Sequence, residues 1–374
     1  MLPYGRQSIS EEDVAAVGQV LRGDWLTTGP TVAEFESAVS RVSGGHHVVS
    51  CTSGTAALHI AYNALGVAPG DEVVTTPMTF VATASGASLC GAKVVFADVE
   101  EDTGLLDPKA VEQVVSKKTK VIAAVDYAGH PADYDALGAI AARVGAKVLD
   151  DAAHSIGSTY RGRAVGDLAD VTTFSFFPTK TATTAEGGAV VTHDGEIALR
   201  AREFHMIGMV RDPERFRMRD QGAWHQEVHS FGLNYRLSDV ACALGISQLS
   251  RLGQFKARRA ALTARYNEAL KDVEGIRTPV QRSDVDSSWH LYPVRILDGR
   301  RREVFDKMRR AGIGVQVNYI PVYWHPVYED LGYKRGMCPN AERFYEEELS
   351  LPLFPDLTED QLDWVVDVLV GVLR

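Results

Sequence analysis

Hydrophobic positions along the chain follow two alternating rhythms. Short runs rich in β-branched residues recur at 47–51, 71–76, 93–97, 120–125 and 146–149, each bounded by Gly, Pro or charged residues. Their length and boundaries predict buried strands. The intervening stretches carry helix signals. A small-residue helix follows Thr52-Ser-Gly-Thr55, another opens at Pro77–Thr83, a third starts at Asp107-Pro108 and a fourth runs from Ala132 to Val144. Such β-α repetition predicts an α/β fold with a mostly parallel sheet covered on both faces. Upstream, Ser10-Glu-Glu-Asp13 reads as a capping box opening a helix that carries Val14, Val17, Val20 and Leu21 on one face, and a second helix runs from Thr31 to Val42. Beyond Val191 the pattern changes. A helix at 197–206 precedes a polar, Arg-rich excursion over 210–230, then a small-residue helix with Ala241 and Ala243, and Arg-rich helical sequence from Ser247 to about Lys271. Strands are predicted at 289–297 and 314–319 around a 301–311 helix, with closing helices near 340–349 and 358–373. We expect a large domain over 1–250 and a smaller α+β domain over 251–374, since 374 residues exceed the usual reach of one core.

Ligands of such sheets gather beyond the carboxyl ends of the strands, where three motifs fall. In the stretch Val171–Val191, Lys180 sits in a loop of small residues and hydroxyls between apolar runs, with Glu186-Gly-Gly188 behind it. A lone amine among hydroxyls suits Schiff-base formation with pyridoxal phosphate, because the amine must deprotonate to attack and desolvation favours that. The turn Ser53-Gly54-Thr55 offers helix N-terminal N–H groups and a hydroxyl to a phosphate. Asp151, in Asp150-Asp151-Ala-Ala-His154, offers a carboxylate to a pyridine nitrogen, and Phe80 an aromatic face for the ring. Each also has an ordinary structural reading: a loop lysine, a capping aspartate, a core phenylalanine and a hydrogen-bonded His154. Their joint occurrence favours the cofactor.

Composition narrows the partners. A net charge of -10 disfavours nucleic acid or an anionic membrane, but leaves room for a phosphorylated small molecule. Four scattered cysteines without Cys-x-x-Cys spacing imply neither a metal site nor a disulfide framework. The opening residues lack an apolar signal core, and a cytoplasmic protein is expected.

These motifs, together with Trp25-Leu-Thr-Thr-Gly-Pro30, Phe174-Ser-Phe-Phe-Pro-Thr-Lys180, Gly232-Leu-Asn-Tyr-Arg236 and Ser350-Leu-Pro-Leu-Phe-Pro355, make the whole chain resemble the DegT/StrS family of sugar aminotransferases. The resemblance implies the type I, aspartate-aminotransferase-like fold and pyridoxal 5'-phosphate linked to Lys180. Gly54, Thr55 and Ser175 would hold its phosphate, Phe80 and His154 would flank its ring, and Asp151 would pair with its nitrogen. It further implies a homodimer in which Asn234 enters the neighbouring site. Tyr4, Asp24, Trp25, Leu26, Thr27, Arg236, Tyr319, Ile320, Pro321 and Val322 fall in segments expected to line the sugar-nucleotide pocket. Asp126-Tyr-Ala-Gly129, Thr183–Val191 and Val317–Tyr323 most resemble the pseudaminic-acid branch, which aminates C4 of a UDP-linked 4-keto-6-deoxy N-acetyl sugar with glutamate as the usual donor. The excursion containing Trp224 and Glu227 is also similar to the undecaprenyl-arabinose branch, and Ile207 stands where relatives commonly carry histidine. A 3-keto or dTDP-linked substrate, a sugar dehydratase and a non-catalytic cofactor-binding regulator are the alternatives; Lys180 argues against the dehydratase, where histidine is typical. A plain α/β binding protein without cofactor would be colourless.

Overall fold

A computed structural model describes residues 1–44 and 46–374. Seven strands form the central sheet: β1 (His47–Cys51), β2 (Glu72–Thr75), β3 (Lys93–Phe96), β4 (Thr119–Val125), β5 (Lys147–Asp151), β6 (Val171–Ser175) and β7 (Gly188–Thr192). Their order is β1-β7-β6-β5-β4-β2-β3. Neighbours are parallel from β3 through β6, whereas β7 runs antiparallel to both β6 and β1. The sheet is therefore mostly parallel, as the strand-helix alternation predicts. Its strands are buried on both faces and divide the core into two apolar layers.

Local rules hold at the helix starts. Ser10 and Asp13 form the capping box, and Asp107 accepts the Lys109 N–H ahead of the Pro108 helix. The first helix, Glu11–Leu21, nevertheless buries the other side of the expected pattern. Val14 and Leu21 are more than half exposed, while Asp13 is buried against Arg251 and Gln248. Periodicity identifies an amphipathic helix but not what covers its apolar face.

The C-terminal part forms a three-stranded antiparallel sheet: β8 (Ile276–Arg277), β9 (Tyr292–Ile296) and β10 (Glu348–Leu351), with β9 in the middle. The expected strand at 314–319 reduces to one bridge, Gln316 with Ser350. The Glu348 carboxylate takes the Asn318 N–H at 2.6 Å and Asn318 Nδ2 donates to Ser350 Oγ at 3.0 Å, so side chains claim the groups a ladder would use. The apolar cluster around this sheet includes Leu2, whereas Val322, Tyr323, Tyr328 and Phe344 pack into the core of the central sheet. Among the described residues, no helix is long and apolar enough to cross a membrane.

Candidate active site

Strands β4, β5 and β6 end at Val125, Asp151 and Ser175, all on the rim of one cavity of about 370 Å³. Nine of the predicted residues line it: Tyr4, Gly54, Thr55, Phe80, Asp151, His154, Ser175, Lys180 and Tyr319. Tyr4 arrives because the N-terminal segment docks on the far end of the chain, Leu2 bridging Ile313 and Tyr4 C=O accepting the Leu353 N–H at 3.0 Å.

Lys180 sits in the connection between β6 and β7. The surrounding hydroxyls, expected to serve the amine, instead hold the loop: Thr183 Oγ1 donates to Phe176 C=O and accepts the Ala185 N–H, and Thr184 Oγ1 donates to Glu186 C=O. Gly187 is obligatory here, because a Cβ would lie 2.1 Å from Thr184 Oγ1. Lys180 keeps some surface open to the cavity, yet burial pushes its ammonium down to about 8, opposed by the nearby Asp151 carboxylate.

Asp151 is buried, and that burial raises its carboxyl; a Thr83 hydrogen bond, Lys180 and the Ala153 N–H counter the effect. Thr83 Oγ1 donates to Asp151 Oδ2 at 2.6 Å, so its oxygen is left to accept from Thr79 Oγ1 at 2.7 Å. Alternation along β5 sends Asp150 to the opposite face, where Tyr134 bridges it to Asp126 at 2.6 and 2.8 Å. Asp151 is thus the one of the pair that faces the cavity.

His154 is buried, and burial beside Lys180 drives its imidazolium far down, leaving a neutral ring. The Ala128 N–H donates to Nδ1 at 3.3 Å, which puts the ring proton on Nε2. Nε2–H then donates to the Tyr319 oxygen at 3.0 Å, and the Tyr319 hydroxyl proton is free to point into the cavity. Phe80 leaves 59% of its surface exposed, a ring presented to the cavity rather than the core.

Pyridoxal phosphate fits these residues. The Gly54–Ala64 helix spends its cap on the Ala56 N–H, which Ser53 Oγ accepts at 3.1 Å, leaving Gly54 and Thr55 N–H at the cavity wall. A Cβ on Gly54 would stand 2.8 Å from Ser175 Cβ, so only glycine admits the Ser175 hydroxyl so close. Anion cradle, buried carboxylate, open aromatic face and low-pKa amine occur together. Bound there, the cofactor supplies an electron sink for charge developing at a carbon next to nitrogen.

Other predicted residues lie elsewhere in the chain. Val322 is fully buried in the core and Pro321 is buried beside it, so neither lines the cavity. Ile320 borders a wider hollow next door. Arg236 faces a different hollow of about 390 Å³ with Arg202 and Glu36. Asp24, Trp25, Leu26, Thr27 and Asn234 line none of these, and all five are exposed. Residues missed from sequence include Thr79, Thr83, Thr179, His290, Gln316 and Asn318, whose proximity is tertiary; Glu186, noted in the motif, also lines the cavity.

A lysine of low pKa beside a buried carboxylate at the strand ends of this sheet suits a pyridoxal-phosphate enzyme, and the family match defines the class as an aminotransferase. The chain belongs to the DegT/DnrJ/EryC1/StrS aminotransferase family, whose sequence profile matches residues 7–370. It is 37% identical over 379 residues to the spore coat polysaccharide biosynthesis protein SpsC of Bacillus subtilis, covering 100% of this chain and 97% of that protein. It is 36% identical over 380 residues to the UDP-4-amino-4,6-dideoxy-N-acetyl-beta-L-altrosamine transaminase of Campylobacter jejuni, covering 100% and 98%. Spr1654 of Streptococcus pneumoniae, solved in its PLP-form, superposes with a TM-score of 0.93 at 29% identity, covering 100% of this chain and 98% of that one.

One expected result follows from Lys180 alone. Only the neutral amine attacks an aldehyde, so covalent capture of pyridoxal phosphate by the apoprotein should quicken about tenfold per pH unit below pH 8 and level off above it. Stopped-flow absorbance against pH measures this. A plateau reached only near pH 10.5, the ordinary lysine value, would contradict the site's effect on the amine.

Proposed function

We propose that this aminotransferase acts on a UDP-linked 4-keto-6-deoxy sugar bearing an N-acetyl group, aminating C4 with glutamate as donor in the cytoplasm. The observation that carries the nucleotide part is a second hollow of about 640 Å³ that shares Thr79, Phe80, Gln316 and Tyr319 with the Lys180 cavity. Its outer wall carries Arg301, Arg302 and His325 beside Phe305 and Tyr345, groups suited to a diphosphate and a base. A nucleotide held there supplies remote binding energy that orients the sugar ketone toward Lys180. The choice of UDP and of C4 draws on the Campylobacter jejuni relative. SpsC, at nearly the same identity, keeps other keto sugars in the test.

In this reading Lys180 Nζ takes the proton from the donor's α-carbon, Asp151 holds a positive charge opposite it, and the Tyr319 hydroxyl orients the incoming ketone. The test is competition between UDP- and dTDP-linked 4-keto and 3-keto sugars with glutamate, products read by mass. Preference for a dTDP-linked 3-keto sugar would overturn the substrate and leave the aminotransferase class standing.

The same reading includes a homodimer with shared sites and a division into domains near residue 250. The Trp25–Pro30 loop is bound to the segment after Asn234: Asp239 N–H donates to Leu26 C=O at 3.0 Å, and the Asp239 carboxylate accepts Gly29 and Thr31 N–H at 2.9 and 3.1 Å. The Trp25–Pro30 loop exposes Trp25 and Leu26, the stretch leading into Asn234 exposes Phe231 and Leu233, and none of these lines the same chain's Lys180 cavity. A second copy would cover these surfaces and receive Asn234. Lys180→Ala and Asn234→Ala proteins should each be nearly inactive, and their mixed dimers should regain activity, because one site keeps both wild-type residues. Verified heterodimers without activity would refute sharing.

A further inference from the structure

At the end of the sheet opposite the cavity, three side chains converge that the transamination reading does not use. Among the described residues, His46, Asp167 and His193 bring one donor atom each within 4.8 Å of one another. The fold puts them there by register. β1 pairs antiparallel with β7 with His47 opposite Thr192, so His46 and His193, one step further, stand opposite each other across the sheet edge. Asp167 is delivered by the short Val165–Asp167 turn. That turn is pressed against the end of the Pro30–Ser43 helix: a Cβ on Gly166 would lie 2.5 Å from Ser43 C=O.

The two histidines differ in how their Nε2 atoms are paired. His193 Nε2 lies 2.8 Å from Asp167 Oδ1, an ordinary hydrogen bond. The His46 side chain is only 4% exposed, yet among the described residues its Nε2 has no hydrogen-bond partner; the same Asp167 Oδ1 is 3.7 Å away. A buried imidazole nitrogen without a partner loses its hydration for nothing. A tetrahedral cation with ligands at about 2.0–2.1 Å holds its donor atoms about 3.3 Å apart, between the two His–Asp separations seen here; the two imidazole rings, their centroids 3.2 Å apart, must swing outward to share it.

We propose that His46 Nε2, His193 Nε2 and Asp167 Oδ1 bind a zinc-class divalent cation that clamps the edge strand β1 to β7 and to the Val165–Asp167 turn. Two imidazoles with one carboxylate select Zn²⁺ or its borderline neighbours over Mg²⁺ and Ca²⁺, which prefer all-oxygen shells. The fourth position is left to water. Five residues of β1 separate this site from Ser53, about 16 Å of strand, so the ion takes no part in chemistry at Lys180.

The experiment titrates chelator-stripped, cofactor-loaded protein with Zn²⁺ by calorimetry, with Mg²⁺ as the control, and follows thermal unfolding in parallel. One Zn²⁺ per chain, a higher unfolding temperature and no response to Mg²⁺ are expected. His193→Ala, at an exposed position, and His46→Gln should each lose at least tenfold in Zn²⁺ affinity and lose the thermal response. Both should keep the visible cofactor band, which reports that the fold is intact. Unchanged Zn²⁺ binding in these variants, or no stoichiometric binding by the wild type, would overturn the proposal; the latter leaves a single His193–Asp167 hydrogen bond with His46 beside it.

Discussion

Replacing Lys180 with alanine should leave a protein that binds pyridoxal phosphate but cannot link to it, with turnover reduced by at least about 10³-fold. Several features that suit the cofactor do not involve the lysine: the Gly54 and Thr55 N–H groups, Ser175, Asp151 and the open face of Phe80 line the cavity independently of its side chain. Retained affinity is therefore expected, readable as fluorescence of bound but dialysable cofactor. After borohydride reduction the wild type should yield a labelled peptide containing Lys180, and the variant none. Label on another lysine would displace Lys180 from its assigned role. Added small amines sharpen the result, because the cavity left by the lost side chain sits where the base acts. Partial rescue separates a missing amine from a disturbed loop.

Asp151→Asn should lower turnover by about 10²–10³-fold with far less effect on substrate KM. Burial makes the carboxylate costly, and Thr83 and the Ala153 N–H, at 2.6 and 3.2 Å, recover only part of its lost hydration. A cationic ring nitrogen would supply the rest, and an amide cannot balance that charge. A second readout distinguishes this role from structural damage. Asp151 holds the Lys180 amine up, so in the variant the pH profile of cofactor capture should shift below about 8. Lost activity with an unmoved profile would indicate a packing role.

Part of the cavity lining was legible in the sequence because two strands end on residues that line it. β5 carries Asp151 at its last position and β6 carries Ser175 at its last, each beyond a short β-branched or apolar stretch (Val148-Leu149 and Val171-Thr-Thr-Phe174). Which of the adjacent Asp150 and Asp151 faces the cavity follows from strand alternation once the sheet's facing is known. Thr83 and His290 were not legible. Thr83 reaches Asp151 across 68 positions of sequence, and His290 lies beside His154, their ring centroids 4.3 Å apart, from the segment that leads into β9. The His46–Asp167–His193 group fails for the same reason: no spacing rule links donors so far apart. The opposite error concerns Val14 and Leu21, placed together on one helical face that the fold leaves exposed.

The neighbouring hollow has a consequence for how specificity can diverge. Groups assigned to bond making stand on β5, on the β6–β7 loop and at the start of the Gly54–Ala64 helix, whereas Arg301, Arg302, Phe305 and His325 come from another sheet's surroundings. The two sets meet only through Thr79, Phe80, Gln316 and Tyr319. Exchanging the outer wall is then a change of reader without a change of engine: variants there should alter which sugar nucleotide is accepted while the cofactor's colour and its exchange with the amino donor persist. Descendants of one such scaffold can diverge in carbohydrate repertoire by drift at a handful of wall positions, and laboratory recombination of the 301–325 region offers the same route.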